Sequence, residues 1–493
     1  MTTLQFPPDF LFGSATAAFQ IEGGGDADGR GPSIWDAFCE VPGRISDGSN
    51  GMVACDHYHR MPQDVALMRE LNLDAYRFST SWARVCPDGR TLNPAGLDFY
   101  SRLVDELLAA GIKPWLTLYH WDLPQALGER GGWTNRDTSY LFAEYTRHMV
   151  DALGDRVQVW TTLNEPWCSS FLSYAGGDHA PGHTSPREAV AAAHHLLLAH
   201  GLGVQVLREA EQNLTVGITC NTTYSHPADP DNPGDVDAAR RIDGGFNRIF
   251  LDPIFKGEYP ADVIEDMAEA GLGSDVRDGD MELISAPIDV LGVNFYNGAA
   301  HAAPLPGAKP EIRITEGGHP AAAPMVGSET VRPVARDLPL TAMGWEVKAD
   351  DLRLLLVRLQ RDYTGPAGIP MVITENGAAY DDVPDASGYV DDSKDRLVYI
   401  RDHIAAVHQA MAEGADVRGY LSGPCWTTSN GRSAIAAGSV SCGSTTTHLS
   451  VFLKRVPVGT QMWQDHTNST STDRLLGMEE PPHGRSPQRA DAG

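Results

Sequence analysis

Eight short runs rich in apolar residues recur along the chain, and segments with helical spacing separate them. Short apolar runs are typical of buried parallel strands, whereas apolar residues at three- and four-residue steps indicate helices. A repeated strand–helix alternation of this length predicts an α/β fold of the (β/α)8 TIM-barrel type. The predicted strands lie near residues 9–16, 73–79, 113–119, 157–163, 214–221, 289–295, 370–375 and 416–421.

Two helices have clear boundaries in the sequence. One extends from Leu97 to Leu108 and ends before the glycine stop at Gly111. The other extends from Ser185 to Leu207, with Ser185 as the N-cap and a proline at the first helical position. The chain has 493 residues, and a bare barrel needs only about 250. Long βα loops should therefore carry the excess, and residues 298–344, rich in Ala, Pro and Gly, are predicted to be one of them.

The net charge of the chain is −27. Such a charge argues against nucleic acid and anionic membrane surfaces as partners and favours a small neutral substrate. The first residues contain neither the basic nor the apolar region of a secretory signal. Seven cysteines without metal-ligand spacing indicate a reduced protein. We therefore expect a cytoplasmic location and no metal; the oligomeric state stays open.

Two acidic residues directly follow or end predicted strands. Glu165 lies in Asn-Glu-Pro after the fourth strand, and Glu375 lies in Thr-Glu-Asn-Gly at the end of the seventh. The carboxyl ends of barrel strands surround one pocket, so both carboxyl groups should face it. A pair of carboxyl groups, one acid and one nucleophile, is the machinery that cleaves glycosidic bonds. Either motif alone would more often be an ordinary loop.

Other strand ends combine polar side chains with aromatic ones. Sugars bind well to such surfaces, because ring faces stack on aromatics while hydroxyls take fixed hydrogen bonds. Asn294 fits a structural hydrogen-bonding role better than direct sugar contact. The candidate residues of this kind are Arg77, His120, Trp121, Asn294 and Tyr296.

From about residue 5 to residue 420 the chain resembles the β-glucosidases of glycoside hydrolase family 1. The resemblance implies a retaining mechanism without metal or cofactor, in which Glu165 is the general acid/base and Glu375 the nucleophile. It further implies carboxyl groups roughly 5–5.5 Å apart. Its remaining implications are that Gln20, His120 and Asn164 bind sugar hydroxyls, that Arg77 and Tyr296 hold the nucleophile ionised, and that Trp345 lines the leaving-group side.

The resemblance stops abruptly at Tyr420. A family member should continue with Trp-Ser-Leu-Leu-Asp-Asn-Phe-Glu-Trp-Ala soon afterwards, but this chain reads Leu421-Ser422-Gly423-Pro424-Cys425 instead. Charge changes at the same point, since residues 421–493 carry +1 and the first 420 residues carry −28. We therefore divide the chain into a barrel, residues 1–420, and an aberrant, poorly ordered tail, residues 421–493.

The genetic code explains this break. Codons for Ser422 to Arg432, regrouped from the third base of the Ser422 codon, read NGG NCC NTG YTG GAC NAC NTC NAA YGG NCG. Permitted choices at N and Y spell the missing motif in full. We infer a one-base deletion at codon 421, either genuine or a sequencing error.

Such a deletion predicts damage to the protein. The final strand would survive only as residues 417–421, so the barrel should fail to close, and the sugar-binding Glu and two Trp of the family's missing segment would be lost. We expect this chain to be poorly soluble and weakly active or inactive. Two alternatives remain open: a 6-phospho-β-glycosidase of the same family, and a non-catalytic remnant of the frameshift.

Overall fold

The fold is a closed barrel of eight parallel strands, seen in a computed structural model that describes residues 4–210, 212–380, 391 and 393–423. From Pro8 onward the described residues belong to one compact unit. All eight predicted strands are present, each within two residues of its predicted bounds. They are β1 Leu11–Ala15, β2 Ala75–Ser79, β3 Lys113–Tyr119, β4 Val159–Asn164, β5 Thr215–Asn221, β6 Val290–Asn294, β7 Met371–Glu375 and β8 Val417–Ser422.

The sheet closes between the first and the last strand. Strand β8 pairs with β1 in register, Leu11 opposite Gly419 and Ser14 opposite Ser422, and its other edge pairs with β7. The TIM barrel is thus confirmed, whereas the expectation of an unclosed strand layer is wrong. Closure is reached because Leu421 and Ser422, the first residues after the sequence break, still extend the strand and pair with β1, and Leu421 is completely buried. The helix and tail expected after β8 lie outside the described residues.

Helices occupy most connections between the strands. Ser185 caps the long helix as predicted, with its hydroxyl accepting a hydrogen bond from the Glu188 amide, and the helix near residue 100 begins three residues earlier than predicted. The α-helices are Ala18–Ile21, Ile34–Glu40, His57–Glu70, Trp82–Val85, Pro94–Ala109, Gln125–Gly128, Asp137–Leu153, Pro186–Arg208, Pro233–Asp243, Ile249–Lys256, Ala261–Asp266, Asp280–Ile284, Ala349–Leu359, Gly365–Ala367 and Arg396–Ala412. Shorter 3-10 turns are Ala27–Gly29, Gly132–Thr134 and Ala268–Ala270, and π-helical turns are Cys168–Gly176, Gly244–Arg248 and Gln360–Thr364.

The helix Pro186–Arg208 alone, among the described helices, is long and apolar enough to cross a membrane. It is nevertheless largely buried, with Leu196, Leu197 and Leu198 all at 0% exposure. It packs on the helix Asp137–Leu153 and on strands β4 and β5. Its apolar residues therefore form part of the buried core of the barrel wall.

The segment 298–344 is a long βα loop, as predicted, and it contains small sheets of its own. Strand Ala299–Ala302 lies between Ser225–Pro227 and Arg332–Val334, and Ile312–Ile314 pairs with Pro320–Ala322. These short strands give the loop a defined backbone beside the carboxyl ends of the barrel strands. The loop delivers Trp345 toward the mouth of the barrel.

Candidate active site

The two candidate carboxylates lie at the carboxyl ends of β4 and β7, as the sequence predicts. Glu375 is the last residue of β7, and Glu165 directly follows β4. Glu165 has a φ of +49°, a conformation that non-glycine residues rarely adopt. The proline that follows disfavours the right-handed helical region for Glu165. The Glu165 amide donates to Thr219 O on β5 at 2.9 Å. Strain of this kind persists where the surroundings hold a functional side chain in place.

Glu375 is a buried carboxylate with strong donors on both oxygens. Arg77 Nη1 donates to Oε1 at 2.5 Å and Tyr296 Oη donates to Oε2 at 2.6 Å. Burial by itself raises the pKa of Glu375, but the Arg77 charge, the neighbouring His120 and these hydrogen bonds outweigh it. The pKa therefore lies below its usual value, and the carboxylate is ionised near neutral pH. The structure places Arg77 and Tyr296 against Glu375, the residue with which their contact is predicted.

Glu165 is buried in a less compensated setting. Asn294 Nδ2 donates to its Oε1 at 2.8 Å, and the Cys168 thiol donates to its Oε2 at 3.3 Å. Burial, and next the charge of Glu375, raise the pKa of Glu165 to about 7. Two carboxyl groups in one pocket thus differ in protonation near pH 6, which is the requirement for an acid and a nucleophile.

A continuous chain of hydrogen bonds joins the two carboxylates. Arg77 Nη2 donates to Asn164 Oδ1 at 2.6 Å, and Asn294 Nδ2 donates to the same oxygen at 3.1 Å. Thr374 in turn donates to Asn294 Oδ1 at 2.7 Å. Arg77, Asn164 and Asn294 are all at 0% exposure. Asn294 therefore positions Glu165, in agreement with the structural role expected for it.

The same chain fixes the tautomer of His120. Asn164 Oδ1 already accepts two hydrogen bonds, so the Asn164 amide nitrogen is the group that faces His120 Nε2, at 3.0 Å. Nε2 must accept, which leaves the proton on Nδ1. Burial lowers the pKa of His120 to about 3, so the ring is neutral. Nδ1 is buried and has no hydrogen-bond partner among the described residues.

Trp121 forms one aromatic wall of the pocket. Its φ of +81° is unusual for so bulky a residue. Its Nε1 donates to Asn164 O at 3.2 Å, and its ring lies 5.0 Å from that of His179 and 6.5 Å from that of Trp35. These contacts hold the ring in an orientation that the backbone alone would not favour.

Two further predicted residues lie at the edge of the site. Trp345 is half-buried, and its ring lies 5.8 Å from that of Tyr296, which donates to Glu375. Gln20 is half-buried on the short helix Ala18–Ile21 that follows β1. The amide of Ala18 donates to Ser79 Oγ at 2.7 Å, which ties this helix to the end of β2. Trp345 therefore stands beside the catalytic machinery, and Gln20 at the mouth of the barrel.

Sequence reasoning missed a second layer of hydrogen-bonded residues behind Glu375 and Tyr296. Asn376 Nδ2 donates to Phe295 O at 2.6 Å, and Tyr420 on β8 donates to Asn376 Oδ1 at 2.5 Å. Tyr399 donates to Tyr296 O at 2.7 Å. The position of Asn376 in Thr-Glu-Asn-Gly was the available signal; Tyr399 lies on a distant helix and offered none.

Cys168 and Asn221 were also missed. The sequence analysis gave the cysteines no part in the site, yet Cys168 contacts Glu165. Its place three residues after Glu165, on the first turn that follows, could have indicated the contact. Asn221 ends β5 and donates to Cys168 Sγ at 3.5 Å.

Comparison with known proteins agrees with this geometry. The model of the family described as "Glycosyl hydrolase family 1" matches residues 2–436. A thermostable β-glucosidase B of Thermobispora bispora is 47% identical over 421 residues, which are 85% of this chain and 82% of that protein.

Two solved structures share both fold and sequence. The psychrophilic β-glucosidase BglU from Micrococcus antarcticus is 54% identical with a TM-score of 0.81, over 87% of this chain and 90% of that one. The β-glucosidase from Thermotoga maritima in complex with deoxynojirimycin is 41% identical with a TM-score of 0.77, over 86% and 89%.

Proposed function

Since the chain belongs to glycosyl hydrolase family 1, we propose that it is a retaining β-glucosidase that hydrolyses terminal β-D-glucosyl residues. The observation that carries this proposal is the pair of buried carboxyl groups whose surroundings move their pKa values in opposite directions. A pair of this kind supplies an acid and a nucleophile at the same pH. The proposed role is in the breakdown of cellulose-derived and related short β-glucosides.

In the first step Glu375 acts as the nucleophile. One of its oxygens forms a bond to the anomeric carbon, while the bond from that carbon to the aglycone oxygen breaks. Glu165 transfers its proton to that oxygen, and the aglycone leaves as an alcohol. Arg77 and Tyr296 hold Glu375 ionised and oriented before the attack. The product of this step is an α-linked glucosyl ester of Glu375.

In the second step water replaces the ester. Glu165, now ionised, accepts a proton from water as its oxygen attacks the anomeric carbon, and the bond to Glu375 breaks. The glucose leaves with its original β configuration, and both carboxyl groups return to their starting states. By resemblance, Gln20, His120 and Asn164 bind the sugar hydroxyls in both steps.

The opposed pKa values predict a bell-shaped pH profile. The active form has Glu375 ionised and Glu165 protonated, so kcat/KM falls as pH rises through about 7. On the acid side it falls where Glu375 becomes protonated, below the ordinary carboxyl range. Initial rates with an aryl β-glucoside measure both limbs of the profile. A range of roughly pH 3 to 9 covers the titration of both carboxyl groups. A basic limb unchanged in Glu165→Gln would contradict the assignment.

Replacing the acid should affect substrates unequally. Glu165→Gln should slow cleavage of a cellobiose-type leaving group by about 10²–10⁴-fold, because that alkoxide needs a proton. A dinitrophenyl leaving group needs none, so formation of its glucosyl-enzyme should change little. Steady-state and burst kinetics on both substrates separate the steps. Equal losses on both would argue against an acid role.

Stereochemistry tests the mechanism directly. Proton NMR of a fresh reaction should detect β-glucose before mutarotation gives the α anomer. First appearance of α-glucose would overturn the double displacement. No turnover of the glucoside together with turnover of its 6-phosphate would favour the phospho-glycosidase alternative.

The remaining parts of the proposal concern the surroundings of the protein. A small neutral glycoside fits the strongly negative chain better than an anionic ligand. Among the described cysteines, Cys39, Cys86, Cys168 and Cys220 are free thiols, which fits the reducing cytoplasm. We therefore propose a cytoplasmic location.

A further inference from the structure

We propose that Cys168 is a positioning residue for the general acid/base, in which the thiol holds one oxygen of Glu165 by a weak hydrogen bond. The inference rests on the proposed function of Glu165. It extends that function by naming a side chain that acts through the acid/base without touching substrate.

The contact is direct and built into the turn after β4. Cys168 Sγ lies 3.3 Å from Glu165 Oε2, and the Cys168 amide donates to Glu165 O at 3.0 Å. Cys168 begins the π-helical turn Cys168–Gly176 and is 6% exposed. The same short segment therefore holds both the backbone and the carboxyl group of Glu165.

A neighbouring amide determines which way the thiol points. Asn221 Nδ2, at the end of β5, lies 3.5 Å from Cys168 Sγ. An amide N–H can only donate, so the sulfur accepts from Asn221 and its own proton is left for Glu165. The relay runs from Asn221 through Cys168 to Glu165. Such an arrangement is specific to a group that both accepts and donates.

The two oxygens of Glu165 are thereby held by unequal donors. An amide of Asn294 occupies Oε1, and a thiol, a much weaker donor, occupies Oε2. A strong second donor would stabilise the ionised form of Glu165 and lower its pKa, so that the group would carry a proton less readily. The thiol leaves Oε2 oriented yet able to bear that proton. This is the chemical reason to place sulfur rather than a hydroxyl here.

The thiol is unsuited to any nucleophilic role. Burial, and next the charge of Glu165, raise the pKa of Cys168 well above its ordinary value, and the thiolate is the reactive form. The other charged or titratable groups that face Glu165 are Glu375 on β7, Arg77 on β2 and Cys220 on β5. Arg77, the cation that acts on Glu165 among the described residues, is bound to Glu375 and does not contact the thiol.

A graded series of substitutions tests the inference. The basic limb of kcat/KM should move upward by about 0.5 pH in Cys168→Val, which removes a weak donor. It should move below the parent position in Cys168→Ser, because a hydroxyl is a stronger donor to the charged form. The matched control is Cys220→Val, since the buried Cys220 makes no hydrogen bond to Glu165 among the described residues.

The outcomes separate cleanly. The inference is supported if the basic limb lies at the highest pH in Cys168→Val, at a lower pH in the parent and at the lowest in Cys168→Ser, with Cys220→Val at the parent position. An unmoved limb in Cys168→Val, or equal movement in both valine variants, overturns it. Should Cys168→Val not fold, Cys168→Ser decides: a limb at or above the parent position overturns the inference.

A measurement without turnover keeps this test independent of the proposed function. Infrared difference spectra of the parent minus Glu165→Gln, taken across pH, report the protonation of Glu165 itself. The same order of midpoints in this titration supports the positioning role even for a chain without glucosidase activity. A chain that shows this order of midpoints without glucosidase activity refutes the proposed function and supports the inference. An active enzyme whose midpoints do not change supports the proposed function and refutes the inference.

Discussion

The Glu375→Gln variant should lose kcat on an aryl β-glucoside by on the order of 10⁵-fold or more, the scale seen when an enzyme loses its covalent nucleophile. The amide keeps the size of the carboxylate but cannot form the glucosyl ester. In the parent chain Arg77 and Tyr296 hold both oxygens, so the group is prepared to attack without rearrangement. Stopped assays with a dinitrophenyl glucoside measure the loss.

Covalent labelling gives the same test a second readout. A 2-fluoroglucosyl donor should add one fluoroglucosyl group to the parent, on Glu375, and none to the variant. Glu311→Gln, an exposed carboxylate on the long loop, is the control and should be labelled like the parent. Labelling of Glu375→Gln, or loss of labelling in Glu311→Gln, would refute Glu375 as the nucleophile. An unlabelled parent would favour the non-catalytic remnant.

Restoring the reading frame at codon 421 should raise kcat/KM by on the order of 10²–10⁴-fold, the value of a few buried interactions at 1–3 kcal/mol each. The regrouped frame supplies Trp-Ser-Leu-Leu-Asp-Asn-Phe-Glu-Trp-Ala, whose Glu and two Trp bind the sugar by family resemblance. The repair changes Leu421, Ser422 and the chain after them, whereas the first four residues of β8, 417–420, stay as they are. Parallel kinetics of the 493-residue chain and the repaired chain measure the gain.

The control is a repaired chain in which the motif's Glu is replaced by Gln. It should fold like the repaired chain and lose most of the gain, which separates sugar binding from general stabilisation. Equal activity of the 493-residue and repaired chains would contradict the frameshift proposal. Sequencing the source DNA across codons 410 to 450 decides whether the deletion is genuine.

The architecture could be predicted from sequence because parallel strands buried on both faces leave a strong local signal. Strands β6 and β7 are buried along their whole length, and each appears as a continuous apolar run that ends in polar residues. The positions of Glu165 and Glu375 could be predicted for the same reason, since the carboxyl ends of all the barrel strands surround one pocket. The closure by β8 was not predicted, because closure depends on pairing with β1 some 400 residues away.

The sequence by itself therefore determined the barrel, its eight strands and the two carboxyl groups at its mouth, because these follow from local hydrophobic pattern and short motifs. Tertiary structure alone decided how the two groups differ. Burial and the charge of Glu375 raise the pKa of Glu165, whereas Arg77 and Tyr296 lower that of Glu375, and these residues come from separate parts of the chain. Interactions between such distant residues leave no periodicity in the sequence, so only the folded chain reveals which carboxyl group keeps its proton.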